Sequence, residues 1–118
     1  MKKYRCFIDG IGTVGVKAIY FDSEQIILEP FNGVENQYIA LEDVKLLQST
    51  GVKDKNGVEI FEGDIVKNKY NELGCIKWLE GGFVYCEDGV CFHLFSIGAG
   101  QPFEIIGNQF EHPHLLEE

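Results

Sequence analysis

Cys75, Cys86, Cys91 and His93 are the side chains whose types and spacing come nearest to chemistry beyond packing. Zinc takes four nitrogen or sulfur ligands, normally delivered as close C-x-x-C or H-x-x-x-H pairs from two loops. The spacing here is C-x10-C-x4-C-x-H, with no C-x-x-C anywhere in the chain. Pairing the flanking strands across three-residue turns at 80–82 and 87–89 sends Cys86 to the face opposite Cys75, Cys91 and His93, so no metal site is expected. Cys91 and His93 lie two apart on one strand, without a third group to orient them for proton transfer. Ser23, Ser49 and Ser96 occupy no nucleophile elbow, and Glu62 and Asp64 flank a turn, where carboxylates usually accept backbone N–H groups. His112 and His114 flank Pro113 and read as surface residues. No catalytic residue and no cofactor is expected, and the chain reads as non-enzymatic.

Gly10, Gly12 and Gly15 spell G-x-G-x-x-G. In a dinucleotide site that string opens a helix inside a parallel strand-helix-strand unit. Here β-branched, alternating residues follow, so the string reads as the turn of a hairpin.

Strands must therefore position whatever site exists. Residues 4–9, 13–21 and 25–29 alternate and are separated by turn residues, which predicts a three-stranded meander ending at Pro30. Val14, Val16, Ala18 and Tyr20 fall on one face of its second strand, with Lys17 on the other. Leu41, Val44 and Leu47 recur at helical spacing, so residues 38–47 hold either a short helix or one or two turns leading into a strand.

Turn signals are densest over residues 50–66. Gly51, the Asp54-to-Gly57 turn and the Gly63-Asp64 turn bend the backbone around the apolar anchor Ile60-Phe61, and a strand then runs from Ile65 to about Tyr70. Gly51, Asp54, Gly57, Gly63 and Asp64 are accordingly assigned to turns rather than to chemistry. A second meander over 75–95 follows, and residues 102–106 form a closing strand that Gly107 breaks.

With three-residue turns, the second meander places Ile76, Trp78, Val84, Cys86, Val90, Phe92 and Leu94 on a core face. Lys77, Phe83, Tyr85, His93 and Phe95 then share the other face as the candidate binding surface. Its aromatic residues can stack bases or grip a peptide, or the first meander can cover them as a second core.

Composition narrows the partners. In 118 residues, 19 acidic side chains stand against 10 basic ones, a net charge of −9, which repels phosphate backbones and makes nucleic acid an unfavoured ligand. No apolar run reaches the roughly 18 residues of a membrane helix, and no apolar segment follows Lys2-Lys3 as in a signal peptide. A cytoplasmic protein that keeps its four cysteines reduced is expected.

Residues 48–67, QSTGVKDKNGVEIFEGDIVK, resemble the signature of the YopX family, small proteins commonly encoded by bacteriophages and prophages. Residues 103–116, FEIIGNQFEHPHLL, are similar to that family's ending. The N-terminal segment YRCFID departs from it, lacking the tryptophan of an F-R-x-W-D pattern. The resemblance implies a mainly β, SH3-type barrel over residues 49–118, with an additional β meander over 1–48 and at most one or two short helices. It also implies a bacterial host cell as the setting, and it carries no catalytic residues. The function expected is binding of a host or phage protein. The alternative is single-stranded nucleic-acid binding, or acidic mimicry of DNA on a host enzyme.

Overall fold

Alternation and turn chemistry account for most of the architecture. The structure is a computed structural model and describes residues 3–30, 32–94 and 103–116. Its strands are β1 (Tyr4–Ile8), β2 (Gly12–Tyr20), β3 (Gln25–Leu28), β4 (Tyr38–Ala40), β5 (Lys45–Lys53), β6 (Glu59–Phe61), β7 (Asp64–Lys67), β8 (Leu73–Leu79), β9 (Gly82–Glu87), β10 (Val90–His93) and β11 (Glu104–Asn108). Two 3-10 turns, Leu41–Asp43 and Pro113–Leu116, complete the regular structure of the described residues, and no helix is long and apolar enough to cross a membrane. The protein is all-β. It divides into two compact units, Met1–Gln48 and Ser49–Glu118, with β5 running from one into the other.

In the first unit β1, β2 and β3 form an antiparallel meander, extended by β4 beside β3 and by the start of β5 beside β1. Cys6, Ile8, Val14, Ile26 and Leu28 make its core. Gly10 and Gly12 adopt positive φ in the β1–β2 turn, and strand rather than helix follows, so the G-x-G-x-x-G string is a hairpin. The expected single face of β2 is corrected by a bulge. Val16 pairs with Leu28 but Ala18 with Ile27, so one extra residue shifts the alternation. Ile19 consequently packs against the core, and Tyr20 is exposed. The helical spacing of Leu41 and Val44 resolves into one 3-10 turn that feeds β5.

The second unit is a five-stranded antiparallel sheet, β10-β9-β8-β7-β11, together with the β5–β6 pair. Gly51 lies inside β5, where its φ of 79° accompanies an irregular β5–β6 register. Beside it the buried Thr50 hydroxyl donates to the Ile60 carbonyl at 2.8 Å and accepts the Val52 N–H at 3.0 Å. β7 stops short of Tyr70 because the Asn68 side chain turns the chain, accepting the N–H groups of Tyr70 and Glu72 at 2.8 and 3.0 Å. β11 does not break at Gly107 but bulges there and continues to Asn108. The Asn108 carboxamide oxygen then accepts the N–H groups of Phe110 and Glu111 at 3.0 and 2.8 Å. His112, expected at the surface, is half-buried, and its Nδ1 accepts the Asn108 N–H at 3.2 Å. Ile60, Val66, Ile76, Phe83, Tyr85, Leu94 and Phe103 form the core of this unit.

Candidate functional site

The geometry of the site follows from two turns. Glu80 and Gly81 join β8 to β9 with φ of 50° and 82°, and Asp88 and Gly89 join β9 to β10 with φ of 49° and 80°. Positive φ at both central residues makes each a two-residue turn of the mirror-image kind, whose twist suits a hairpin. The pairs are therefore Trp78 with Phe83, Ile76 with Tyr85 and Cys75 with Cys86, then Cys86 with Cys91 and Val84 with His93. Three-residue turns shift this register by one, and a shift of one moves every side chain of a strand to the other face.

β9 is thus turned over relative to the expected faces. Phe83 and Tyr85 point into the core, only 7% and 3% exposed, covered by residues of their own unit. They do not share the exposed outer face with Lys77 and His93. Tyr85 lies 5.2 Å from Phe103 between ring centres, and Phe83 meets Trp78 edge-on at 4.8 Å. Lys77 and His93 remain exposed on the outer face, and Phe95 lies outside the described residues. Cys86 joins them there. It is bonded to Cys91 with a Cα–Cα separation of 4.1 Å, which corrects both the expected opposite placement of these two residues and their expected reduced state. Cys6 and Cys75 are free and buried. Among the described residues no group of three His, Cys, Asp or Glu side chains could hold a metal ion.

The turn residues of 50–66 do structural work in this unit. Gly57 and Gly63 adopt φ of 81° and 90°. The Asp64 carboxylate, buried, accepts the Phe61 N–H at 2.8 Å. Asp54 accepts the N–H groups of Asn56 and Val58 through Oδ1 and that of Ile105 through Oδ2.

On the outer face of β8, β9 and β10 lies an open cleft of about 720 Å³. Cys75, Cys86 and Cys91 line it with Leu73 and Leu115, and the charged residues Glu72, Lys77, Glu87 and Asp88 border it. A smaller groove of about 380 Å³ shares Glu72 and Glu87 and is lined by the aromatic rings of Tyr70, Tyr85, Phe92 and Phe103. The Tyr85 hydroxyl donates to Glu87 Oε2 at 2.8 Å. That bond pulls the Glu87 carboxyl down, but partial burial and the neighbouring Glu72 and Asp88 outweigh it, and the net direction is up. Burial, reinforced by Glu87, pushes the Tyr85 phenol up as well. Tyr85→Phe leaves the ring in place and removes this bond, so a loss of about 1 kcal/mol in a denaturant melt is expected.

The cleft and the cysteine row were not anticipated as a site. Asp88-Gly89 carried the signal, since Asp-Gly between alternating runs is among the strongest marks of a two-residue hairpin turn.

These features define a small all-β protein of two units, with a cleft lined by cysteines and bordered by acidic residues. The model of the YopX protein family matches residues 13–117, and the chain belongs to that family. Among solved structures it is similar to protein EF1440 from Enterococcus faecalis, with 29% sequence identity, a TM-score of 0.71 and coverage of 99% of both chains. No curated protein matches it.

Proposed function

We propose that the protein is a non-enzymatic binding module that takes a basic segment of a host or phage protein into the cleft of the second unit, within the cytoplasm of a bacterial cell. The observation that supports this most is the charge of the cleft. Glu72, Glu87 and Asp88 border it with one lysine, Lys77, in a protein of net charge −9. A Lys- or Arg-rich segment gains Coulomb attraction there and is steered to it from a distance, whereas a nucleic acid backbone is repelled. Stacking of single-stranded bases loses its support, because Phe83 and Tyr85 are occupied in the core. The Glu87 carboxylate accepts the Tyr85 hydroxyl and sits at the end of β9, where the cleft and the smaller groove meet.

The test is fluorescence anisotropy with labelled Lys/Arg-rich peptides, matched acidic peptides and oligo-dT. Basic peptides should bind with an affinity that falls as salt rises. Reversal of the rim by Glu72→Lys, Glu87→Lys and Asp88→Lys together should weaken that binding about tenfold or more. Equal binding by the reversed variant, or a preference for oligo-dT, would reject the proposal.

A further inference from the structure

We propose that Cys75, Cys86 and Cys91 form a thiol–disulfide relay, in which the disulfide passes from Cys86–Cys91 to Cys75–Cys86 and presents Cys91 as a reactive thiol on the cleft, for a partner that bears a disulfide or another thiol-reactive electrophile. This goes beyond the binding role and holds whatever enters the cleft.

The register carries the argument. Cys75 is paired with Cys86, and Cys86 with Cys91, so three cysteines stand in one row across three adjacent strands on one face. The 4.1 Å Cα separation of Cys86 and Cys91 marks the close, non-hydrogen-bonded type of antiparallel pair. Because the two types alternate, Cys75 and Cys86 form the wider type, with Cα atoms about 5.5 Å apart, inside the range that a disulfide spans. Thiolates attack disulfides in line with the bond that breaks. A straight row with Cys86 at its centre meets that requirement, since Cys75 approaches Cys86 from the side opposite Cys91.

The step balances within the chain. The Cys75 thiol gives its proton to solvent, and its sulfur bonds to the Cys86 sulfur. The Cys86–Cys91 bond breaks, and Cys91 leaves with the electron pair and takes up a proton. No external oxidant or reductant is consumed. The thiol moves from Cys75, which is 2% exposed, to Cys91, which is exposed.

At rest Cys75 is held back. Its Sγ donates to Gln109 Oε1 at 3.1 Å and lies 3.9 Å from the Gly63 carbonyl, so it must turn away from these acceptors to reach Cys86. Burial pushes this thiol up to about 11; Lys77 on β8 works against that shift, and Asp64 on β7 adds to it. Glu72, Glu87 and Asp88 also border the cleft beside the row. The thiolate needed for attack is therefore scarce at neutral pH and more plentiful in alkali.

The test uses the oxidised full chain carrying Cys6→Ser, incubated at about pH 9 with iodoacetamide and no added thiol, followed by peptide mapping without reduction. The expected product carries the label on Cys91 and a Cys75–Cys86 link. Cys75→Ala should lower Cys91 labelling about tenfold or more, and Gln109→Leu should speed it several-fold by releasing the Cys75 thiol. Label confined to Cys75 with the Cys86–Cys91 link intact would overturn the relay, as would equal Cys91 labelling in Cys75→Ala. Should Cys75→Ala fail to fold by circular dichroism, Gln109→Leu decides, and an unchanged labelling rate in it overturns the proposal.

Discussion

Gly63→Ala is expected to lower the thermal midpoint by about 10 °C or more, corresponding to a loss on the order of 3 kcal/mol in a domain of this size. Two costs combine at this position. Gly63 has φ +90°, a conformation that strains any residue with a Cβ, and a Cβ placed there would stand 2.6 Å from Cε2 of Phe110. Neither cost is easily relieved, because the backbone is held on both sides. The Gly63 N–H donates to the Ile76 carbonyl at 2.7 Å, and its own carbonyl accepts the Gln109 N–H at 2.8 Å. Gly63 thus ties the start of β7 to β8 and to the segment after β11. Phe110→Leu introduced into Gly63→Ala should recover the part of the loss due to the clash and leave the part due to φ. Neighbouring Asp64→Ala removes the buried acceptor of the Phe61 N–H and should cost less, about 2 kcal/mol. A melt of Gly63→Ala that overlays the wild type would refute this account of the turn.

The turns and strands of this fold were legible because their causes are local. Asn, Asp and Gly at tolerated φ, and alternation over four to nine residues, need only a short window of sequence. Features that depend on counting residues through a turn were less legible. The bulge in β2 reverses the alternation midway, so Tyr20 is exposed where unbroken alternation buries it. The β7–β11 pairing and the bonds between Asp54 and Ile105 and between Lys55 and Phe103 join residues far apart in the chain, which no periodicity encodes.

The candidate site shows how much one residue of register decides. Lys77, His93, Phe83 and Tyr85 form one surface only if both hairpin turns hold three residues. With two-residue turns the aromatic pair exchanges places with Val84 and Cys86, and the disulfide becomes possible in the same move. Buried aromatic and paired cysteine are thus one geometric fact. Apolar content could not arbitrate, since Val84 and Cys86 suit a core as well as Phe83 and Tyr85 do. The turn dipeptides could, because Asp-Gly favours the two-residue form.

Asp54 is the second position where one substitution should be costly. Its buried carboxylate accepts three backbone N–H groups, from Asn56 at 2.8 Å, Val58 at 2.9 Å and Ile105 at 3.2 Å, so one side chain closes the 54–57 turn and docks it on β11. Asp54→Ala leaves these donors without their acceptor, at about 1 kcal/mol or more for each, and a total near 3 kcal/mol is expected in a urea melt. Asp54→Asn keeps the shape but turns an NH2 toward either Ile105 or the turn, setting donor against donor, so it should recover only part of the loss. The pH dependence distinguishes the charge from the shape. Burial pushes the Asp54 carboxyl up, but the Val58, Ile105 and Asn56 N–H groups and the nearby Lys55 outweigh it, holding the carboxyl below its ordinary value. The unfolded chain, with a carboxyl of about 3.9, therefore takes up the proton first as the solution is acidified. Asp54 contributes its stability above about pH 4, and the contribution is lost as pH falls through the folded value. Wild type and Asp54→Asn should accordingly differ most near neutrality and converge as the pH falls through the folded value. Curves that stay parallel throughout that fall would mean that the Asp54 charge does not hold this turn to β11.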